Sequence, residues 1–506
     1  MIELRSPVEA ALWLHSRVTG ALRTDSRKVK PGDGFVAWPG AKTDGRQYVS
    51  QSCAQGVTAC IIEKSGFDGY VVNEKSGAIA CYQDLKIATG LIAAEYYGHP
   101  TKQLVVIAIT GTNGKTSSAW WLAQALSLAK TSFSTKCGMI GTLGIGQPPL
   151  SKDGNDRSST VVANGLTTPD PVLLQQEFRN FADQDYSVCA IEASSIGIEE
   201  NRLDGTEIKV AVFTNFTQDH LDYHNSMDSY WQSKLKLFLW PSLEAAVINV
   251  DDPRGLELLK ILAQKNIDVW TVSIKGEARL RAHDILYFEN GLQFKVTESG
   301  ETYQILTSMI GIYNVSNLLG VIAAMRAIGV GLKQAITACE SLTPVPGRMD
   351  CIAQNDQPLV VVDFAHTPDA LENALSTLRE VADHRRGTLV CVFGCGGNRD
   401  VSKRSIMASI AEKYADRILV TSDNPRNENP GEIFDQIFSG FSNDAVADLM
   451  PDRAQAITHS ILSAKTADII LIAGKGHENY QEVAGEKHSF SDKEHALLAL
   501  SRRLVQ

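Results

Sequence analysis

A buried-strand pattern that runs directly into a glycine-rich loop constrains the fold of this chain more than any other segment. Residues 104–109 form a continuous apolar run, which is typical of an interior strand in a parallel sheet. The loop TGTNGKT follows at residues 110–116, and a helix is expected to begin at Lys115. This order of strand, tight loop and helix predicts an α/β domain with a central sheet.

The same loop predicts a phosphate-binding site. Its glycines let backbone N–H groups turn towards a phosphate, and the helix N-terminus adds partial positive charge. Lys115 would reach the terminal phosphates and the Thr116 hydroxyl would hold Mg²⁺. Ile109 stands where the common form of this motif has glycine. A simple glycine turn is the alternative, but the flanking strand and helix favour binding of ATP or GTP.

Two further regions repeat the strand-and-helix alternation. In the central region we predict strands at residues 187–191, 210–213 and 245–250, a helix at 314–328 and a turn at 343–348. In the last third we predict strands at residues 359–363, 389–393, 418–421 and 469–472. Each of these last strands runs into a polar or glycine-rich segment, namely FAHTPD, GCGGNRD, SDNPR and GKGHE. Because open parallel sheets bind ligands beyond the carboxyl ends of their strands, a second site is expected there.

The length of 506 residues is too great for one hydrophobic core. We predict three α/β domains at residues 1–98, 99–345 and 346–506, with a polar linker at 98–103 and a strand at 58–63.

The net charge of -10 argues against nucleic acid as a partner. No apolar run approaches the roughly 18 residues that cross a bilayer, so no membrane insertion is expected. We expect a monomer.

Compartment is predicted from the cysteines and the N-terminus. The nine cysteines are odd in number and show no paired CxxC spacing, which favours free thiols in a reducing cytosol. Glu3 and Glu9 lie where a secretory signal would be apolar. A cytoplasmic protein is therefore expected.

Several motifs together resemble the Mur ligases and their folylpolyglutamate synthase relatives. These are TGTNGKT, EASS at 192–195 and NFTQDHLDYH at 215–224, joined by DSRKVKPGDGFVA at 25–37, YWQSKLKLF at 230–238, PGR at 346–348, FAHTPDAL at 364–371, GCGGNRD and DNPR. The resemblance implies an N-terminal uridine-nucleotide domain, a central P-loop ATPase-like domain and a C-terminal Rossmann-like domain that binds an amino acid. It also implies an ATP-dependent ligase of peptidoglycan synthesis, which adds meso-diaminopimelate to UDP-N-acetylmuramoyl-L-alanyl-D-glutamate through an acyl phosphate.

The implied catalytic and metal-binding residues suit a reaction that brings two anions together. A γ-phosphate and a carboxylate repel each other, so cations must screen them and hold them in line. The resemblance places Lys115, Glu192, His220 and Lys234 in the catalytic set, and Thr116, Glu192, His220 and Lys234 at Mg²⁺. The alternatives from residue type are a surface acid for Glu192 and a helix-capping histidine for His220, while for Lys234 the sequence alone favours a solvated lysine. The resemblance instead implies that Lys234, rather than Lys236, carries a CO₂-derived carbamate.

The resemblance also implies the substrate-binding residues. For ATP these are Gly111, Thr112, Asn113, Gly114, Lys115, Thr116, Ser117, Asn215, Asn314, Arg348 and Asp363. For the uridine-nucleotide substrate they are Ser26, Ala41, Lys42, Thr43, Thr167, Thr168, Ser194 and Arg202. This chain departs from the family pattern at Ile196 and at Glu200 and Asn201, where the family usually has histidine, which puts the fine positioning of this substrate in question.

The amino-acid pocket has a physical argument of its own. Meso-diaminopimelate differs from lysine by one carboxylate, and a guanidinium binds a carboxylate through two parallel hydrogen bonds. Arg426 in DNPR would supply that guanidinium, although a surface salt bridge is the alternative. The expected pocket comprises Arg399, Asp423, Asn424, Pro425, Arg426, Gly474 and Glu478, with Glu478 facing the amine.

Three other functions remain open at this point. A lysine-adding ligase of the same family is disfavoured by Arg426, because an unpaired guanidinium in the pocket is costly. A folylpolyglutamate synthase would not explain the segment at 25–37. A regulatory protein that has lost the chemistry would be expected to lack some of Lys115, Glu192, His220 and Lys234.

Overall fold

The computed structural model describes residues 2–40, 43–66, 78–130, 135–150, 159–288, 291–354, 356–443 and 446–503. Within these residues three β-sheets follow one another along the chain, and a two-stranded ribbon lies near the end. Strands and helices alternate in all three regions, so the predicted α/β class is confirmed. No helix in the described ranges is long and apolar enough to cross a bilayer.

The first sheet has five parallel strands in the order β1-β5-β4-β3-β2. Its elements are β1 (Ile2–Leu4), α1 (Pro7–His15), β2 (Leu22–Arg23), β3 (Gly34–Ala37), α2 (Val49–Ala54), β4 (Ala59–Glu63), β5 (Ala78–Tyr82) and α3 (Leu85–Tyr96). Strand β4 begins one residue after the predicted start. Residues 98–103, predicted as a polar linker, contain a 3₁₀ turn at Pro100–Lys102. Thr101 is buried there because its Oγ1 accepts a hydrogen bond from the Glu207 amide at 3.0 Å.

The second sheet has ten strands in the order β15-β14-β13-β12-β11-β10-β6-β9-β7-β8. Its strands are β6 (Val105–Thr110), β7 (Cys137–Gly141), β8 (Gly144–Gly146), β9 (Val188–Glu192), β10 (Ile208–Phe213), β11 (Ala245–Asn249), β12 (Asp268–Ser273), β13 (Leu280–Phe288), β14 (Gly291–Glu298) and β15 (Glu301–Thr307). Its helices are α4 (Lys115–Leu128), α5 (Pro171–Asp183), α6 (Ser195–Glu199), α7 (Leu221–His224), α8 (Met227–Phe238), α9 (Pro253–Leu262), α10 (Ile312–Ala327) and α11 (Leu332–Glu340). Separate hydrophobic clusters cover its two faces. The antiparallel strands at its two ends were not predicted.

The third sheet has six strands in the order β16-β17-β21-β18-β19-β20, and only β16 is antiparallel. Its strands are β16 (Asp350–Ile352), β17 (Leu359–Asp363), β18 (Leu389–Phe393), β19 (Arg417–Val420), β20 (Ala447–Leu449) and β21 (Ile469–Ala473), and the ribbon is β22 (Tyr480–Val483) with β23 (Glu486–Ser489). Its helices are α12 (Pro368–Arg385), α13 (Lys403–Tyr414), α14 (Pro430–Phe438), α15 (Arg453–Leu462) and α16 (Asp492–Arg503). The four strands predicted for this region are present within one residue at each end.

Direct side-chain bonds join the second region to the third. The Asn113 amide Nδ2 donates to Asp369 Oδ2 at 2.6 Å, and Gln218 Nε2 donates to Asp400 Oδ2 at 3.3 Å. These contacts bring the loops that follow β6 and β10 against the loops that follow β17 and β18. The carboxyl ends of the two sheets therefore share one cleft.

Candidate active site

The phosphate loop turns at two glycines that no other residue fits. Gly111 and Gly114 have φ of 148° and 85°, in the region that favours glycine. A Cβ atom at Gly111 would lie 1.8 Å from Thr214 Oγ1, and one at Gly114 would lie 2.3 Å from Asn317 Oδ1. Lys115 Nζ donates to the carbonyl oxygens of Gly111 and Thr112 at 2.9 and 2.8 Å. The ammonium therefore lies directly over the loop, where burial lowers its pKa.

A buried carboxylate faces the first turn of α4. Thr116 donates its hydroxyl hydrogen to Glu192 Oε2 at 2.8 Å, and the Thr142 amide donates to Oε1 at 2.7 Å. Glu192 is fully buried, and Arg348 donates to Thr116 Oγ1 at 3.3 Å from the other side. A hydroxyl and a carboxylate are hard oxygen donors and fit Mg²⁺, which usually keeps waters and phosphate oxygens as its other ligands. Within the described ranges no group of three or more His, Cys, Asp or Glu side chains is arranged to hold a metal ion.

His220 lies on the same cleft, at the start of the short helix α7. Its backbone is left-handed, with φ of 55°, and its ring nitrogen lies 3.5 Å from Asp219 Oδ2. Burial lowers the pKa of His220 to about 4, so the imidazole is neutral at neutral pH and has a lone pair to offer. Burial acts to raise the pKa of Asp219, but the charges of His220, His366 and Lys403 outweigh it and bring that pKa to about 2.

Lys234 lies behind the phosphate loop and not in solvent. It is 1% exposed, its Nζ donates to the Gly111 carbonyl at 2.8 Å, and it stands 4.4 Å from the centre of the Tyr230 ring. The interpretation of Lys234 as a solvated lysine is therefore wrong, because α8 packs that face against the loop. Burial and the nearby Lys115 lower its pKa well below 10.5. Lys236, two residues on, is half-exposed and pairs with Glu199 at 2.6 Å.

A cavity of about 830 Å³ opens over the loop and extends to α12. The residues expected at ATP that line it are Thr112, Asn113, Gly114, Lys115, Thr116, Ser117, Asn215, Asn314, Arg348 and Asp363. Gly111 lies beneath them. The Asn113 amide N–H donates to Asn215 Oδ1 at 2.8 Å, which holds the loop against β10. The cavity also reaches Lys275, Tyr287, Tyr313 and Asn373, which sequence reasoning did not find.

Arg348 enters this cavity from the boundary between the second and third regions. Its guanidinium stacks 4.3 Å above the Phe364 ring. Asp363 ends β17 beside it and accepts a hydrogen bond from the Met349 amide at 2.6 Å. Burial raises the pKa of Asp363 to about 6, against the opposing charge of Arg348.

A second cavity of about 140 Å³ adjoins the first. Asp219, His220, Phe364, His366 and Arg399 line both cavities. Of the residues expected at the amino acid, the second cavity is lined by Arg399, Asp423, Asn424, Arg426, Gly474 and Glu478, whereas Pro425 does not line it. The two cavities therefore adjoin at the residues that line both.

Arg426 is held at the side of the second cavity that is not shared with the first. Its backbone is left-handed, with φ of 53°, and its amide bonds to the Glu482 carbonyl of the ribbon at 3.0 Å. Its guanidinium donates to the Gly397 carbonyl at 2.9 Å and lies 3.5 Å from the Glu482 carboxylate. With a side chain 20% exposed, Arg426 lies in a cleft, where it also forms the partly shielded ion pair with Glu482.

A buried lysine that sequence reasoning missed organises the acidic side of this cavity. Lys475 has a fully buried side chain and donates to Glu478 Oε2 at 2.8 Å and to Asn424 Oδ1 at 2.9 Å. Asn424 Nδ2 donates to the same Glu478 oxygen at 2.8 Å. These bonds hold one oxygen of Glu478 and leave Oε1 for a ligand. Its place in GKGHE, directly after a predicted strand end, was the signal for Lys475.

The residues expected at the uridine-nucleotide substrate divide into two groups. Thr168 donates to the Glu192 carbonyl at 2.7 Å and lies 3.0 Å from Ser194 Oγ, while Arg202 donates to the Thr168 carbonyl at 2.9 Å. Thr167 and Ser194 line the large cavity. Ser26 and Thr43 lie in the first region and line neither cavity. Ala41 and Lys42 lie outside the described residues.

Fold and site together define a class of protein. A glycine loop at a helix N-terminus, a buried hydroxyl–carboxylate pair beside it and an adjoining cavity lined by charges of both signs are typical of an enzyme that activates one substrate with a nucleoside triphosphate beside a charged second substrate. The second and third sheets supply the described residues that line the two cavities, whereas the first sheet supplies none of them.

Comparison with known proteins narrows this class. Family models described as Mur ligase family, catalytic domain, as Mur ligase middle domain and as Mur ligase, glutamate ligase domain match residues 20–88, 109–325 and 347–476. A UDP-N-acetylmuramoyl-L-alanyl-D-glutamate–2,6-diaminopimelate ligase from Acidovorax sp. is 53% identical, with 98% of this chain and 97% of that protein covered. A ligase of the same name from Janthinobacterium sp. is 46% identical over the same shares. The chain belongs to the Mur ligase family.

Solved structures agree with this assignment. A UDP-N-acetylmuramoyl-L-alanyl-D-glutamate–2,6-diaminopimelate ligase is 31% identical, with a TM-score of 0.61 and coverage of 96% of this chain and 95% of that one. A folylpolyglutamate synthase from Mycobacterium tuberculosis is 20% identical with the same TM-score, and it covers only 77% of this chain. The second likeness concerns the fold alone.

Proposed function

We propose that this chain is an ATP-dependent ligase that joins meso-diaminopimelate to the D-glutamate of UDP-N-acetylmuramoyl-L-alanyl-D-glutamate, in peptidoglycan biosynthesis. The observation that carries the proposal is the pair of adjoining cavities. One surrounds a phosphate loop, and the other presents Arg426 and Glu478 to a ligand with both a carboxylate and an ammonium. Relatives that cover nearly the whole chain bear the name of this activity.

The chain's own residues suit formation of an acyl phosphate. Lys115 and Arg348 place positive charge where the γ-phosphate and the substrate carboxylate must approach each other. Thr116, Glu192 and His220 would hold Mg²⁺, which when bound screens the repulsion between these two anions. The hydrogen bond between Asn113 of the second region and Asp369 of the third would hold the two sides of the cleft together. A closed cleft limits the access of water to the acyl phosphate, which water would hydrolyse.

We further propose that Lys234 is modified by CO₂ to a carbamate. Only a neutral amine adds to CO₂, and burial beside Lys115 favours the neutral form of Lys234. A carbamate supplies a carboxylate-like metal ligand at the end of a long side chain. Lys236 is half-exposed and ion-paired, which favours its charged form and makes it the poorer candidate.

The three sheets are proposed as three domains, with boundaries at 98/99 and 345/346. The N-terminal domain would bind the uridine nucleotide through Ser26 and the turn at 41–43, while Thr167, Thr168, Ser194 and Arg202 would position the peptide carboxylate. All nine cysteines are free, which supports a cytoplasmic enzyme. A monomer remains our prediction.

The proposal is tested with purified protein, ATP, Mg²⁺ and UDP-N-acetylmuramoyl-L-alanyl-D-glutamate. Phosphate release is measured with meso-diaminopimelate, with L-lysine, with L-glutamate and without an amino acid, and the product is identified by mass. We expect phosphate release in the assay with meso-diaminopimelate and none in the assays with L-lysine, with L-glutamate or without an amino acid. Equal turnover with L-lysine would overturn the assigned specificity, and no turnover with any amino acid would point to a regulatory protein.

A further inference from the structure

Lys403 is a largely buried cation that makes no direct ion pair within the described residues. It is the first residue of α13, it lines the second cavity, and it is 8% exposed. In the part of the chain that the structure describes, its ammonium has no hydrogen-bond or ion-pair partner. The other cations of this cavity do have partners: Arg399 lies 3.7 Å from Asp222, and Arg426 donates to Gly397.

This arrangement favours an anionic ligand. A largely buried ammonium that lines a cavity and has no direct partner is less well solvated than one in open water, and an anion in the cavity would offset that cost. Lys403 also begins a helix of 12 residues whose N-cap residue, Ser402, makes no side-chain capping bond. The partial positive charge of that helix end adds to the charge of Lys403.

The position of Lys403 indicates which anion it binds. Lys403 lines the second cavity together with Asp219 and His366, and both of those residues also line the first cavity. Gln218, the residue before Asp219, donates to the hydroxyl of Ser402 at 3.2 Å. Ser402 directly precedes Lys403, so this bond places Lys403 towards the junction, although Lys403 lines only the second cavity. The attacking amine must reach this junction to meet an acyl phosphate held in the first cavity. The carboxylate on the same carbon atom must then lie beside it.

We propose that Lys403 binds the α-carboxylate at the reacting end of the incoming amino acid. The inference rests on the proposed function and deepens it by assigning the two carboxylates of diaminopimelate to different residues. Lys403 binds the carboxylate that every α-amino acid carries next to its amine. Arg426 binds the second carboxylate, which distinguishes diaminopimelate from lysine.

The test compares Lys403→Met with Lys413→Met, a matched control in the last turn of the same helix, where the lysine is exposed and pairs with Glu372 at 3.0 Å. Both variants are assayed in the complete reaction, and KM and kcat are determined for diaminopimelate and for ATP. For Lys403→Met we expect the KM for diaminopimelate to rise roughly tenfold or more, because a charged partner of the substrate is lost. The KM for ATP and the saturating kcat should stay within about threefold of wild type, since the lost contact is to the amino acid.

Further variants separate binding from a structural role. Lys403→Arg retains a cation and is expected to recover part of the affinity for diaminopimelate. If Lys403→Met fails to fold, as judged by its thermal transition, Lys403→Gln carries the same expectation.

An unchanged KM for diaminopimelate, an equal rise in the KM for ATP, or a loss confined to kcat would overturn the inference. Those results leave the proposed function standing as long as the wild-type enzyme turns over diaminopimelate. Failure of the wild type to use diaminopimelate would overturn both.

Discussion

Lys234 Nζ lies 2.8 Å from the carbonyl oxygen of Gly111, so helix α8 touches the phosphate loop from behind. The contact joins Lys234 of α8 to the first glycine of the loop, which lies 123 residues earlier in the sequence. A change in the charge of Lys234 therefore alters the electrostatic potential at the loop where a triphosphate would bind. The surrounding burial favours the neutral amine, which is the form that reacts with CO₂.

We expect Lys234→Ala to lower kcat by about 100-fold or more, because it removes a group that acts on the transferring phosphate. Added acetate or propionate should restore part of the activity by occupying the vacated space with a carboxylate. Lys236→Ala, on the same helix but half-exposed, is the control and should retain activity. Phosphate release measured with and without the added acids checks the prediction, and full activity of Lys234→Ala without them would contradict a carbamate.

Glu192 is expected to set the requirement for Mg²⁺. Glu192→Gln keeps the shape of the side chain and removes the charge, and its single oxygen can still accept from the Thr142 amide while its NH2 group donates to Thr116 Oγ1 in place of the original bond. We expect kcat to fall by about 100-fold and half-maximal activity to need more Mg²⁺, since magnesium prefers an anionic oxygen. A titration of activity with Mg²⁺ at saturating ATP measures both effects. Glu199→Gln is the control, and an identical Mg²⁺ curve for wild type and Glu192→Gln would exclude this role.

Arg426 is expected to determine the choice of amino acid. Arg426→Ala should lower kcat/KM for diaminopimelate by about 30-fold or more, because losing one partner of a buried charged pair costs roughly 2 kcal/mol or more. The KM for ATP should hardly change, since Arg426 lies outside the large cavity. Steady-state kinetics with each substrate varied in turn make the comparison, with the exposed Arg502→Ala as control. Equal rises in both KM values would show that the assigned role is wrong.

The strands of all three sheets were predictable where their sequences are continuous apolar runs. Residues 359–363 and 389–393 were predicted with the bounds that the structure has. Apolar runs and the polar loops after them are local features, and parallel strands bring their carboxyl ends to one edge. That rule predicted a ligand site at the carboxyl ends of the third sheet, but not that the second sheet shares the same cleft.

The burial of Lys234, Lys403 and Lys475 was not predictable from local pattern. Each lysine stands at a position that would be solvated in an isolated helix or loop, and only packing against a distant segment buries it. For Lys475 that segment is the loop at Asn424, and for Lys234 it is the phosphate loop. The ribbon that holds the Arg426 backbone was also missed, because β22 and β23 are short and mostly polar, with β22 half-buried and β23 exposed.

Asp363 gives the chain a stability that depends on pH. Burial raises its pKa from 3.8 to about 6, so the native state binds this proton more tightly than the unfolded state does. Its contribution to stability is therefore fully present below about pH 4 and is lost as the pH rises through 6, by ~3 kcal/mol at most. Asp363→Asn removes the titrating group while its side-chain oxygen still accepts from the Met349 amide.

We therefore expect the melting temperature of Asp363→Asn, relative to wild type, to be higher at pH 7.5 than at pH 4, because only the wild type must keep a buried carboxylate ionised at the higher pH. Calorimetry of the ligand-free proteins at matched ionic strength measures the difference. The exposed Asp448→Asn, in the same region, is the control, since its carboxylate stays in water in both states. A difference between Asp363→Asn and wild type that stays constant across this range would show that Asp363 does not titrate there. In that case Arg348 would hold the carboxylate ionised in spite of its burial.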